Sequence, residues 1–337
     1  MMKTITTRLV ASLIPLFAIF WISVYWLTTD LIAFQKQPIL ITESQALQVE
    51  SGTSVIKLAQ QLEEQGLIVD SWKMKYLVKL EPKLASIKVG YYQIMPSDTL
   101  ATLFKRLRLG QEAVFTLTLI EGKSIKEWQQ ALAKSKHLVV GEDDFNQILI
   151  ANGDTSGLPE GKFYPETFHY HAGDSVQTVL QRSFDMMQMS LKQAWEGRDA
   201  DLALNSPYEL LIIASIIEKE TGKPEERNWV SAVFNNRLKK GMRLQTDPTV
   251  IYGMGDRYKG NITRKDLRET TAFNTYKIDG LPPTPIAAPS RASLFAAANP
   301  AKVDYLYFVS RNDGTHVFSA TLKEHNRAVN EFQRKRK

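Results

Sequence analysis

Ser206-Pro207-Tyr208-Glu209 opens a run, Leu210-Leu211-Ile212-Ile213-Ala214-Ser215-Ile216-Ile217, that meets its next charge only at Glu218, before Lys219-Glu220-Thr221-Gly222. Ser206 reads as a helix N-cap, Pro207 as the first helical residue and Glu209 as the reciprocal partner of a capping box. Thr221, Gly222 and Pro224 mark the end. A helix that is apolar on every side belongs in a core, so neighbouring elements must wrap around this one. Its last turn carries Glu218 to the edge of a low-dielectric interior, at the negative end of the helix dipole, and both circumstances favour the protonated carboxyl. Ala214 and Ser215 lie one turn back and leave room for a ligand. Glu218 is therefore a candidate general acid. The plainer alternative is a solvated last turn, since Lys219 and Glu220 adjoin it.

Leu9 to Leu27 carries no charge. As a helix it rises roughly 28 Å, which matches a bilayer core. The run ends in Trp21, Tyr25 and Trp26 rather than in the small residues of a cleavage site, so a retained single-pass anchor is expected in preference to a signal peptide. Lys3 and Arg8 precede it and Asp30 follows, which puts the N-terminus in the cytoplasm and the bulk of the chain outside, at the inner (plasma) membrane and in the periplasmic or extracytoplasmic space.

The chain has 337 residues and no cysteine, which removes disulfides, thiolate catalysis and cysteine-ligated zinc. Of the net charge of +6, Lys3 and Arg8 supply two, leaving +4 on the remainder, partly in the tail Arg334-Lys335-Arg336-Lys337. That excess fits an acidic surface or polymer, or simply a solvated end; no nucleic-acid signature accompanies it. His169 and His171 could share a strand face, but no third ligand is spaced to join them, and no metal site is expected.

Beyond the anchor, strands and helices alternate. A strand at Leu47 to Val49, a turn at Gly52-Thr53-Ser54 and a helix with Ile56, Ala59 and Leu62 inward and Gly66 as its stop come first. A strand at Gly90 to Ile94 and a helix from Ser97 to Leu109, closed by Gly110, follow. Ala113 to Ile120 alternates as a strand, and Ser124 with Glu127 forms a capping box for a helix through Leu132. Val140 to Pro159 reads as a connector and Ser175 to Trp195 as a helix. Pro224 opens another helix that ends before Gly241. Gly253 to Asn299 reads as loops; Tyr305 to Val309 and Thr315 to Ser319 read as a hairpin across Asn312-Asp313-Gly314, and Leu322 to Phe332 as a closing helix.

Several loops set carboxylates and amides beside aromatics: Glu160 and Glu166 around Phe163-Tyr164-Pro165, then Gln245-Thr246-Asp247, then Asn274-Thr275-Tyr276. That composition suits a carbohydrate cleft, where sugar faces stack and hydroxyls need partners, and it equally describes ordinary turns and caps.

Ala214-Ser215-Ile216-Ile217-Glu218-Lys219-Glu220-Thr221, Leu244-Gln245-Thr246-Asp247-Pro248-Thr249-Val250-Ile251-Tyr252-Gly253, Tyr276 ahead of Gly280-Leu281-Pro282-Pro283, and Glu324-His325-Asn326 resemble, in order, the YceG-like endolytic murein transglycosylases, the MltG family. The similarity runs from about Leu47 to Phe332. It implies an α+β chain with a single N-terminal transmembrane helix (1–30), a LysM-like subdomain (44–112, with Val49 to Ile68 in it) and a mixed α/β catalytic domain (113–333). It also implies that Glu218 is the catalytic acid, that Asn235, Gln245, Thr246, Asp247, Tyr276 and Glu166 bind substrate, that no cofactor is used, and that peptidoglycan glycan strands are the substrate, with peptidoglycan synthases as neighbours. The chain departs from the family pattern at Tyr164-Pro165-Glu166-Thr167, at Thr284, and at Ala288-Pro289-Ser290, where asparagine or threonine, proline and glycine are usual. These are expected to alter cleft shape and to leave Glu218 untouched.

On this reading Glu218 protonates the oxygen between N-acetylmuramic acid and N-acetylglucosamine, and its carboxylate then takes the proton from the C6 hydroxyl as a 1,6-anhydro ring closes. The attacking group belongs to the substrate, so a second protein carboxylate is dispensable. Two alternatives stay open: a lysozyme-type hydrolase with Asp247 as the second carboxylate, and a non-catalytic glycan-binding scaffold of the cell-wall synthesis machinery.

Overall fold

The computed structural model describes residues 2–334, with side chains from Pro15 onward, so residues 335–337 of the basic tail lie outside it. The chain divides into two compact units, Met1–Phe115 and Thr116–Lys337.

The first unit begins with α1 (Met2–Lys36), whose segment Pro15–Lys36 is long and apolar enough to cross a membrane. The helix does not stop at Asp30. Leu31 and Phe34 are buried with Ile39 in the unit's own core, so the last turn of α1 is structural rather than a linker. β1 (Gln45–Val49) is followed by α2 (Val55–Glu64), α3 (Met74–Leu80), β2 (Gly90–Ile94) and α4 (Leu100–Leu109). β1 and β2 pair antiparallel, with Leu47 opposite Tyr92 and Val49 opposite Gly90. Ser54 caps α2 by accepting from the Lys57 amide at 3.2 Å. The inward face of α2 is Val55, Leu58, Ala59 and Leu62; Ile56 points to solvent, one position off the expected stripe. Gly110 ends α4 in the left-handed region at φ 69°, where a side chain would be strained.

The second unit starts with β3 (Phe115–Thr118) and α5 (Ile125–Leu132), whose capping box closes as expected through Ser124 and Glu127. Next come α6 (Asp144–Ala151), β4 (Thr167–Tyr170), which pairs with β3, and the long α7 (Val176–Glu196). α8 (Pro207–Glu220) is the quoted apolar helix, and every residue from Leu210 to Ile217 is buried. It packs against α7, α9 (Arg227–Lys239) and α11 (Arg291–Ala298). Each buried Leu or Ile there contributes about 1.5–3 kcal/mol over an exposed one, which makes α8 the organising rod of the unit. α10 (Asp247–Met254) lies between α9 and α11 in sequence. β5 (Tyr307–Ser310) and β6 (His316–Ser319) form the expected antiparallel hairpin, and α12 (Leu322–Val329) follows, capped by Thr321.

Four expectations need correction. The connector at Val140 to Pro159 contains α6, which buries Phe145, Ile148 and Leu149. The loop region Gly253 to Asn299 contains α11, an alanine-rich helix whose small side chains allow close approach to α8. Pro224–Glu226 is a 3-10 turn, with the α-helix starting at Arg227. At the head of α8, Ser206 Oγ accepts from the Glu209 amide, but Glu209 Oε2 accepts from the Asn205 amide at 2.6 Å, one residue beyond a closed capping box.

Candidate active site at the end of the buried helix

Glu218 emerges where α8 leaves the core. Ile217 is fully buried and Glu218 half-buried, so the carboxylate stands at the rim of the apolar interior. Its Oε2 accepts two hydrogen bonds from Ser290, from the amide at 2.9 Å and from Oγ at 2.5 Å. Ser290 is also the N-cap of α11, accepting from the Ser293 amide at 3.2 Å. The loop ahead of α5 closes the other side: Gly122 donates to the Ala288 carbonyl at 2.8 Å, Ala288 donates to Lys123 O at 2.9 Å, and Lys219 Nζ donates to Gly122 O at 3.0 Å. Gly122 thus lies alongside Glu218, where an added Cβ would sit 3.8 Å from the Glu218 Cγ. The room expected beside Ala214 and Ser215 is absent: both are fully buried, and Ser215 Oγ is used between Ile212 O (2.7 Å) and the Ile286 amide (3.0 Å).

Two residues on, Glu220 projects to another side of the helix, since successive helical residues turn by about 100°. It enters a polar cavity of about 510 Å³ whose wall includes Arg237, Gln245, Asp247, Tyr276 and His325. Thr246 Oγ1 donates to Glu220 Oε1. Burial pushes the Glu220 carboxyl up to about 7, the Thr246 hydrogen bond opposes the rise, and the nearby Asp247 charge adds to it. Tyr276 donates its phenol to Asp247 Oδ1 at 2.7 Å; burial first, then that carboxylate, raise the phenol well above its ordinary value. Arg237 fixes the cavity floor through Leu306 O (2.7 Å), Leu244 O (2.9 Å) and Gln245 Oε1 (3.3 Å). His325 stacks on Tyr307 with centroids 5.1 Å apart, and its buried Nδ1 has no hydrogen-bond partner. Thr221, after α8, donates to Glu226 at 3.2 Å, and Glu226 in turn accepts from His316 Nδ1 at 2.7 Å, so the carboxylate-bearing helix end is tied to β6.

The model of the YceG-like family matches residues 47–331. The chain belongs to the YceG-like family. It is 32% identical over 307 residues to the endolytic murein transglycosylase of Bacillus subtilis, a match covering 85% of this chain and 84% of that one. It is 27% identical over 319 residues to the protein of the same name from Streptococcus pneumoniae, covering 84% of this chain and 57% of the longer relative. A crystal structure of a YceG-like protein from Listeria monocytogenes superimposes with a TM-score of 0.55 at 28% identity, covering 85% of this chain and 99% of that one.

Within this YceG-like chain the residues expected at the site fall into separate places. Gln245, Thr246, Asp247 and Tyr276 come together, joined by the Thr246 amide to Thr275 Oγ1 bond (3.0 Å) and the Gln245 amide to Thr275 O bond (3.2 Å). Gln245 adopts a left-handed backbone at φ 53°, uncommon for a residue with a side chain and consistent with a tightly specified loop. Asn235 lies elsewhere, buried in α9 with Oδ1 accepting from the Ala203 amide at 2.8 Å. Glu166 is exposed and folds onto the Thr167 amide at 2.8 Å. Glu160, met in the sequence beside Glu166, is buried; it accepts from the Ile125 amide at 3.1 Å and from Tyr252 at 3.1 Å, and burial raises it to about 7. The departure at Ser290 does touch Glu218, contrary to expectation: a glycine there would offer the amide and no hydroxyl. Glu220, Arg237 and Ser290 acquire their roles through tertiary contacts that sequence spacing does not reveal.

Proposed function

We propose that the chain is an endolytic lytic transglycosylase that cleaves the bond between N-acetylmuramic acid and N-acetylglucosamine within peptidoglycan strands. The observation that carries this reading is the family match across residues 47–331, together with relatives named endolytic murein transglycosylase. Glu218 is the acid: it protonates the glycosidic oxygen as positive charge grows at C1, then removes the C6 hydroxyl proton as the 1,6-anhydro ring closes. Ser290 holds the carboxylate in one orientation through two donors to a single oxygen. The other oxygen faces the reacting bond. Gln245, Asp247 and Tyr276 bind the glycan in the cavity that Glu220 lines.

α1 is the anchor, with Lys3 and Arg8 keeping the N-terminus cytoplasmic and the second unit outside. A LysM-like role for the first unit is supported by its β1–α2–α3–β2 order with antiparallel strands. Placement at the outer membrane face suits an enzyme that ends nascent strands beside a synthase.

One observation favours a second reading of the acid: Glu220, not Glu218, lines the cavity with Asp247 and Tyr276. Both readings are tested on the full chain in lipid nanodiscs with purified peptidoglycan, by mass spectrometry of borohydride-treated fragments. Internal fragments whose ends resist reduction are expected from the wild type. Glu218→Gln should lower their release by roughly 100-fold or more, the scale of a lost general acid. If Glu218→Gln retains wild-type rates while Glu220→Gln abolishes them, the acid is Glu220. Reducible ends would mean a hydrolase, and no release by the wild type would favour a binding scaffold.

A further inference from the structure

The first unit carries an apolar stripe at its surface, of which Tyr76 is partly packed against the core. Trp72 is 53% exposed and Leu80 66% exposed, and Tyr76 lies between them with its ring edge-on to Trp72 at 5.9 Å. The spacing of four residues sets all three along one side of α3 and the turn before it. Lys75 and Lys79 repeat with the same spacing on α3 and Lys83 follows in the turn after it, all three exposed, so ammonium groups flank the apolar stripe. Met74 and Leu77 occupy the opposite side and are buried in the core. Glu81 and Asp70 are exposed acids at its two ends, Asp70 being paired with Lys73, against three further lysines. An aromatic stripe flanked by lysines is the pattern of segments lying in a membrane interface, where indole and phenol rings take the headgroup level and lysines meet anionic lipid.

The height of this surface along α1 is fixed by an ion pair. Lys73, next to Trp72, binds Asp30 of α1 at 2.7 Å and Asp70 at 3.0 Å. Asp30 stands three residues beyond Leu27, the end of the uncharged stretch, a rise of only ~4.5 Å. The headgroup layer is about 5–7 Å deep on each side of the hydrocarbon. On the anchor reading of α1, Asp30 and the Lys73 ammonium bound to it lie inside that layer, with Trp72 the adjoining residue. Ile32, two residues further along α1, is 49% exposed. Leu31 and Phe34, buried in the unit's core, join the unit to the helix end.

We propose that the surface formed by Trp72, Tyr76, Leu80 and the flanking lysines docks onto the bilayer that α1 crosses, and that its partner is anionic phospholipid. The inference rests on the anchor reading of α1, and the experiment separates the two. Because the chain lacks cysteine, Trp72→Cys and Phe20→Cys each take a single environment-sensitive fluorophore in the full chain. The labelled proteins go into nanodiscs of phosphatidylcholine with or without phosphatidylglycerol, doped with nitroxide lipids that quench at headgroup or acyl-chain depth.

The expected result is quenching at position 20 by acyl-chain nitroxides and at position 72 by headgroup nitroxides. The latter should be several-fold stronger with phosphatidylglycerol and should fall to the neutral-lipid level in a Lys75→Glu, Lys79→Glu, Lys83→Glu background. Quenching at 20 but none at 72 overturns the docking surface and leaves the anchor standing. Quenching at neither position overturns the anchor and the docking surface with it. Equal quenching at 72 in both lipids and in the triple variant overturns the choice of anionic lipid as partner.

Discussion

Ser290 joins two tasks in one side chain, because the hydroxyl that caps α11 is also the one that donates to Glu218. Ser290→Ala should therefore lose about 1 kcal/mol of stability from the cap and about tenfold in rate from the missing donor, with the amide bond retained. Ser290→Gly separates the two, since glycine costs only a few tenths at an N-cap. It should melt close to wild type while showing the same loss of anhydro-product release, and a wild-type rate in that variant would sink the functional role of the hydroxyl. Glu160 makes a different test. Its carboxyl is raised from 4.5 to about 7 by burial, so between those values the folded protein holds a proton that the unfolded chain has released. Stability must then fall as pH rises through that window and level off above it. Denaturation of Glu160→Gln, which keeps an acceptor for the Ile125 amide, should show a flatter pH dependence than wild type across pH 4.5 to 7.

Among the elements, α8 is the most legible, because a capping serine, a proline at the first turn and an uncharged run of seven apolar residues and one serine leave one structure that satisfies them. The capped helices α2 and α5 and the hairpin of β5 and β6 were legible for similar reasons, each having local signals at its ends. α6 and α11 were not. α6 follows Asp143 with no side-chain cap; α11 has its cap in Ser290 and alanines that favour a helix, but at eight residues between Pro289 and Pro300 it is too short for local signals alone to stand out. The candidate site divides along the same line. Glu218 announces itself as the first charge after an apolar run. Ser290, 72 residues away, is met only because α11 packs on α8. Asn235 looked equally suitable as a substrate ligand, yet its amide is spent on the Ala203 backbone, a contact that no spacing rule foretells.

At the scale of the whole molecule, the sequence marks an apolar stretch and an alternating first unit but not their fusion, since the expected span ends at residue 30 whereas Leu31 and Phe34 are buried in the unit's core. Their burial makes the boundary of any soluble fragment matter. A chain beginning at Asp30 should keep the first unit's core intact, whereas one beginning at Gln37 removes both side chains. Each costs about 2–5 kcal/mol as a core truncation. The shorter fragment should unfold its first unit several degrees lower by calorimetry; equal melting would show that the helix end adds nothing. On the proposed anchor reading of α1, the same fusion acts as a lever. A bilayer thinner or thicker than the apolar stretch changes the tilt of the helix crossing it, and a helix continuous with a domain's core converts tilt into sideways swing. Membrane thickness would thereby steer the first unit across the surface, with no ligand and no hinge.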